Sequence, residues 1–406
     1  MEFGALIKFY RTQKGMTQAE LAKGICSVPH LSKIENNSKE ANKDTIDLLL
    51  DRLNISFEEI EEKEGEIQLL LGQFSDKINY FLIDEIDGIY FKLKEIEHII
   101  PFSKYMYTYE LYKYRYLLFK GFLAEAEVQK DLLYKQKKNF SQYEEYLFHY
   151  YNAVFLILKN QYKEADELLE SLYNDFHYES LSGEFLYHRA LVKVSLDESS
   201  HAIHFGKMAL EIYSNQYNFI RVLHTLMLLG ISYTDSNIYE EALECYKHSI
   251  RNAEILKEEK LLPQIYHNMG HLQTKLNNYK EALYYYEKSL SLQSEVNQHY
   301  LFTLYSIGEL HYSNEEFQRA ESCFQEVNLI SRERKIRKFI LLSDFYLLKM
   351  NSPEKAIKHL ETKVIPYFEE NKELKEYMSQ FYKLLAEHYT QKGMAFAAVK
   401  YLHKII

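Results

Sequence analysis

The chain is expected to be all-α: a small N-terminal helical bundle followed by a right-handed superhelix of stacked helical hairpins. Three observations predict this. Thirteen Gly and five Pro are few for 406 residues, and sandwiches and barrels need both at their many turns. Rings make up 15% of the chain, as 37 Tyr and 24 Phe with no Trp, which implies a long continuous helical core. Small residues also recur in pairs twelve apart, as in Ala153/Ala165, Ala190/Ala202, Gly270/Ala282, Gly308/Ala320 and Ala386/Ala398. The remaining composition, 47% hydrophobic and 27% charged, is that of a globular protein and argues against disorder.

The first 56 residues are organised differently from the rest. Phe3, Leu6, Ile7 and Tyr10 fall at helical spacing and stop at Lys14-Gly15, a helix-ending pair. Thr17-Gln18-Ala19-Glu20 reads as a capping box that opens a second helix through Leu21, Ala22 and Lys23. Gly24 and Ile25 make a short turn. Ser27 is the N-cap expected for a third helix, with Pro29 in its first turn and Leu31 and Ile34 facing inward. Thr45 to Leu53 carries apolar pattern enough for two more short helices. Two helices joined by a tight turn inside a small bundle is the helix-turn-helix plan. Residues 57–66 form an acidic run, read as a solvated helix or linker. The domains expected are therefore 1–56, a linker over 57–66, and a repeat array over 67–406.

In the array, Ala126, Ala165, Ala202, Ala242, Ala282, Ala320, Ala356 and Ala398 mark successive second helices, at intervals of 36 to 42 residues. Leu169, Tyr246, Tyr286, Phe324 and Leu402 follow four residues after such an alanine. Small residues let paired helices approach closely, and the following large side chain fills the gap to the next hairpin. Eight or nine hairpins are expected. The seventh departs from the pattern, with Asp344 where a small residue belongs and Pro353 in place of the aromatic before Ala356.

Charge and chemistry narrow the function. The net charge is −10, so polyanion binding needs a local patch. Residues 1–39 supply one: six Lys and Arg, including Lys8, Arg11, Lys33 and Lys39, stand against Glu2, Glu20 and Glu35, a balance of +3. Cys26, Cys245 and Cys323 are odd in number and scattered, as in a reducing, cytoplasmic setting. The longest charge-free stretch, Leu261 to Thr274, is too short and too polar for a membrane span, and no secretory leader is seen. His267 and His271 have the spacing of a helical metal pair, but Asn268 stands where a metalloprotease carries Glu. No phosphate loop, nucleophile elbow or CxxC is present. Neither metal, cofactor nor catalytic centre is expected.

Two resemblances follow. Arg11, Met16-Thr17-Gln18-Ala19-Glu20-Leu21-Ala22 and Leu31-Ser32-Lys33-Ile34-Glu35-Asn36 resemble the phage-repressor type of helix-turn-helix. That likeness implies that Ser27, Val28, Pro29, His30 and Lys33 face the major groove, that Gln18 and Asn36 touch phosphates, and that Arg11 pairs with Glu35. The segment Asn278-Tyr279-Lys280-Glu281-Ala282-Leu283 and its echoes at Gln161 and Ile238 resemble the tetratricopeptide repeat, here longer than the usual 34 residues or so. Repeat position assigns Gln264, His267, Asn268 and His271, with Tyr187, His224, Met227, Tyr305, Glu309 and Tyr312, to the concave groove. Asn268 sits where peptide-clamping members carry an Asn, whose amide donates to and accepts from a peptide backbone at once.

The combination of the two parts resembles the Rap/NprR/PlcR/PrgX family of peptide-sensing regulators. It implies a cytoplasmic, non-enzymatic quorum-sensing transcription regulator. Its partners would be a double-stranded DNA operator, a short secreted signalling peptide and a second copy of the chain, as dimer or tetramer. A response regulator of a sporulation phosphorelay is the alternative partner, and a repeat scaffold that does not bind DNA is a third reading.

Overall fold

A computed structural model describes residues 3–36, 42–55, 57–175, 182–371 and 375–405. The basic residue Lys39 and the acidic Glu2 lie outside them. Among the described residues every regular element is helical, and no helix is long and apolar enough to cross a membrane. The chain divides into two compact units, Met1–Ser232 and Tyr233–Ile406.

The head comprises α1 (Phe3–Gln13), α2 (Gln18–Ala22), α3 (Val28–Glu35) and α4 (Lys43–Arg52). The Thr17 capping box forms, with the Thr17 hydroxyl accepting from the Glu20 amide and the Glu20 carboxylate accepting from the Thr17 amide. Ser27 caps α3 through the His30 amide. Thr45 to Leu53 holds one helix and not two, because Asn42 caps a single run that continues unbroken to Arg52. Leu6, Ile7, Leu21, Leu31, Ile34, Leu49 and Leu50 close the core.

The acidic run is not a separate linker. It is the first half of α5 (Phe57–Asn79), whose second half buries Ile67, Leu70, Leu71 and Phe74 against the first repeats. Once nucleated by that buried face, the helix extends through charged residues at little cost, since Glu is a good helix former.

The hairpins of the first unit are α5 with α6 (Ile83–Glu95), α7 (Met106–Lys120) with α8 (Leu123–Gln136), α9 (Gln142–Leu158) with α10 (Tyr162–Asp175), and α11 (Gly183–Ser195) with α12 (Ser199–Asn215). Next come α13 (Phe219–Asp235) and α14 (Tyr239–Leu256). The second unit continues with α15 (Leu262–Lys275) and α16 (Tyr279–Ser291), α17 (Gln298–Ser313) and α18 (Phe317–Glu333), α19 (Arg337–Asn351) and α20 (Pro353–His359), α21 (Ile365–Asn371), and finally α22 (Lys375–Gln391) with α23 (Ala395–Leu402).

One turn chemistry recurs. Asn160, Asp197, Asn237, Asn277 and Glu315 each adopt φ between 58° and 63° directly after the first helix of a hairpin. The next amide then bonds back five residues, as from Gln161 to Leu156 and from Asn278 to Gln273. This Schellman geometry satisfies orphan carbonyls, and Asn and Asp tolerate the left-handed backbone. Few glycines are needed as a result.

All eight marker alanines are buried. A Cβ on Gly270 would lie 2.7 Å from Cδ1 of Tyr286, and one on Gly308 would lie 2.8 Å from Cε1 of Phe324, so these helices touch through the missing methyl. The irregular seventh hairpin is also visible. Asp344 accepts from Arg332 and Asn328, and Pro353 starts a short α20 that passes through a π-helical turn, Leu360–Val364, into α21.

Candidate functional site

The head presents α3 on a fixed frame. The buried Glu35 carboxylate accepts from Arg11 Nε at 2.6 Å and Nη2 at 3.0 Å, and from Gln18 Nε2 at 2.8 Å. Arg11 Nη1 also donates to the Met16 carbonyl, so α1, the turn and α3 are locked together. The Glu35 contact raises the pKa of the Arg11 guanidinium. Arg52 donates to the Leu21 and Lys23 carbonyls and closes the end of α2.

With Leu31 and Ile34 inward, Ser27, Val28, Pro29, Lys33 and Asn36 lie exposed and His30 half-buried. These residues form one polar and basic edge. Gln18 differs from expectation: its amide nitrogen is taken by Glu35, so it braces the frame rather than offering that donor to a phosphate. The head rests on the repeats through Phe9 and Phe102, with ring centroids 5.0 Å apart.

In the second unit, α15 carries Gln264 exposed and Asn268 and His271 half-buried. The Asn268 amide nitrogen is buried and has no hydrogen-bond acceptor among the described residues. A buried unpaired donor costs about 1–3 kcal/mol, so an incoming acceptor would relieve that cost. His267 corrects the sequence expectation. Its Nδ1 meets Thr303 Oγ1 at 3.0 Å, and its ring is enclosed by Tyr286, His299 and Phe302. It is a core residue.

Tyr305 and Glu309 are corrected likewise. Glu309 accepts hydroxyls from Tyr305 (3.0 Å), Tyr346 (3.0 Å) and Tyr377 (2.9 Å), and Tyr305 is fully buried. This hub ties α17, α19 and α22. Tyr312 packs on Phe317 and Tyr346.

In the first unit Met227 is buried, and half-buried His224 packs edge-on to Phe81 with centroids 5.1 Å apart. Half-buried Tyr187 lies beside His188.

A feature the sequence did not announce lies in the first unit. A cavity of about 270 Å³ is walled by α5, α7, α9 and α11, with Phe74, Tyr112, Arg115, Tyr150, Tyr151 and Glu184 in its lining. Glu184 Oε1 accepts from Arg115 Nη2 at 2.6 Å and from Arg221 Nη2 at 3.0 Å. Burial alone would raise the Glu184 carboxyl, but the two guanidiniums outweigh it and hold the pKa at about 2. Two cations thus share one anion, and Arg115 Nε is buried without an acceptor among the described residues. The available signal was a charged residue inside an otherwise apolar helical run, as in Tyr112-Lys113-Tyr114-Arg115-Tyr116 and Phe219-Ile220-Arg221-Val222.

Burial lowers His188 to about 3, His224 to about 4, and His267 well below the ordinary imidazole value. Each stays neutral in the folded chain, while the unfolded chain binds protons below about pH 6.5. Stability is therefore full above that pH and falls as the pH drops from about 6.5 toward 5. Thermal unfolding measured across pH 8 to 5 checks this, and a midpoint that holds or rises over that descent contradicts it.

Residues 7–60 match the helix-turn-helix family and residues 261–327 the tetratricopeptide repeat. The chain is 26% identical over 391 residues to the transcriptional activator NprA of Geobacillus stearothermophilus, covering 92% of this chain and 94% of that one. It is 23% identical over 297 residues to the regulatory protein RapD of Bacillus subtilis (strain 168), covering 69% of this chain and 83% of that one. Among solved structures, NprR in complex with its cognate peptide NprX superposes with a TM-score of 0.66 at 25% identity, covering 84% of this chain and 97% of that one. A helix-turn-helix head of this geometry joined to this repeat array makes the chain similar, along nearly its whole length, to members of the Rap/NprR/PlcR/PrgX family.

Proposed function

We propose that this chain is a quorum-sensing transcription regulator that reads DNA with α3 and binds a short signalling peptide on its repeats. The observation that carries the peptide reading is the buried, acceptorless amide nitrogen of Asn268, which a peptide carbonyl would satisfy. Gln264 and His271 flank it in the second unit. In the first unit, taken by itself, Arg115 offers its acceptorless Nε to a carboxylate. The similar protein NprR is solved in complex with its cognate peptide NprX, which supports peptide binding as such.

Ser27, Val28, His30, Lys33 and Asn36 are the residues we assign to DNA, with Pro29 shaping the start of α3. A single head of this size binds weakly, so the functional species is a dimer on paired half-sites. The chain works in the cytoplasm and carries no catalysis of its own. The peptide acts by binding one arrangement of the protomers more tightly than another. A likeness to the response regulator aspartate phosphatase A of Bacillus subtilis (strain 168) favours a second role, capture of a response regulator by the repeats, and the two roles are compatible.

Asn268→Ala is expected to weaken peptide binding by about 10- to 100-fold, the equivalent of about 1.4–2.8 kcal/mol, without lowering the melting temperature of the free chain, since the unpaired donor goes with it. Titration calorimetry with short peptides encoded beside the gene measures it, and unaltered affinity would remove Asn268 from the site. Lys33→Ala is expected to weaken binding to DNA selected by the chain from a random pool, and to lower the salt slope by about one. An unchanged slope means that Lys33 faces away from the phosphates.

A further inference from the structure

We propose that Arg221 is a clamp on the C-terminal end of α5, the helix leading out of the DNA-reading head, and that the clamp tightens when a carboxylate enters the cavity beside Arg115. The last carbonyls of a helix lack intrahelical partners and carry its negative end. At α5 they are met from far downstream in the chain: Arg221 Nε donates to the Asn79 carbonyl at 3.0 Å and Nη2 to the Ile78 carbonyl at 3.1 Å. Asn218 Nδ2 adds a bond to the Asn79 carbonyl at 3.0 Å, and the Tyr80 hydroxyl donates to the Gln216 carbonyl at 3.3 Å. The turn after α5 is thereby fastened to the turn before α13.

The fastened turns are unusual. Phe81 holds φ 59° and Tyr217 φ 54°, where the other left-handed positions are Gly, Asn, Asp, Lys or Glu. A bulky side chain in this region is strained and persists only where its surroundings hold it. Phe81 is held by the Arg221 guanidinium 5.0 Å from its ring, and by Phe119 and His224. Release of Arg221 therefore frees both the carbonyls and the strained residue.

Arg221 answers to the cavity through Glu184. The same Glu184 oxygen accepts from both arginines, whose side chains are only 5% and 6% exposed. The other carboxylate of the lining, Asp76, stands on the exposed side of α5, so within the buried group two guanidiniums face a single carboxylate. A carboxylate bound through Nε and Nη2 of Arg115, the fork geometry guanidinium favours, displaces Glu184 from Arg115. Glu184 then belongs to Arg221 alone and fixes the guanidinium that holds α5. The coupling is reciprocal: holding α5 firmly must also favour the carboxylate. The clamp rests on the peptide reading only for the carrier of that carboxylate.

The test is hydrogen exchange of the full chain, followed by mass spectrometry, in sodium acetate against sodium chloride at equal ionic strength. In the wild type, acetate is expected to slow exchange at residues 76–82 several-fold. Arg221→Gln should exchange faster there in both salts with no acetate response. Arg221→Lys, which keeps the charge and loses the fork, should fall between. Arg115→Met should keep a protected α5 end and lose the acetate response. Wild-type exchange in Arg221→Gln, the absence of an acetate effect in the wild type, or a full acetate effect in Arg115→Met each overturns the clamp. Acetate protection in a chain that binds no short peptide would keep the clamp and reject the peptide reading.

Discussion

Glu35→Ala is expected to unfold the head while the repeats stay folded. The carboxylate is 1% exposed and its Arg11 partner 13%, and Gln18 is a third member of the group. Removing one partner of a buried ion pair leaves an unpaired buried charge and costs about 3–5 kcal/mol. A unit of this size has a total stability of about the same magnitude, at roughly 0.05–0.15 kcal/mol per residue. Hydrogen exchange of residues 3–36 measures the loss directly, and DNA binding should vanish with it. The double variant Arg11→Met, Glu35→Leu should recover most of the loss, because apolar residues of similar volume can replace a buried pair. If the single variant exchanges like the wild type, Glu35 does not hold α1 to α3.

Gly270→Val is expected to destabilise the second unit by about 2–3 kcal/mol, the usual cost of overpacking a filled core. The added Cβ would sit 2.7–3.0 Å from three atoms of the Tyr286 ring, which is 2% exposed and has no room to turn. Gly308 is the equivalent position against Phe324. Gly72, in α5, is the opposite case, since a methyl added there would meet nothing within 4 Å. Gly72→Ala should therefore stabilise by about 0.5–1 kcal/mol through helix propensity alone. Chemical denaturation of the two variants, read against the wild type, checks the opposite signs. A destabilised Gly72→Ala, or a neutral Gly270→Val, contradicts the packing described.

Local rules were legible because they act within a few residues. The Thr17 capping box, the Ser27 cap and the burial of the marker alanines depend on spacing that is visible in the chain. The repressor likeness likewise anticipated the Arg11–Glu35 pair. The acidic run, read as a solvated helix or linker, is helical, but its charge says nothing about the buried face that α5 acquires from Ile67 onward. Tyr305 and Glu309 misled for another reason. Repeat position puts them on the inner stripe, but Tyr346 and Tyr377 from later hairpins cover them, and no local pattern counts that coverage. The Arg115–Glu184–Arg221 group joins residues 69 and 37 apart in sequence. Only the stacking of hairpins brings them together.

In the function proposed, one chain couples a peptide on its repeats to the arrangement of its DNA-reading heads. Light scattering of the full chain, with and without the short peptides encoded just downstream of its gene, tests it most directly. One peptide is expected to change the oligomer mass, and Asn268→Ala to abolish the change. A constant mass with every peptide, and no peptide bound, would contradict it.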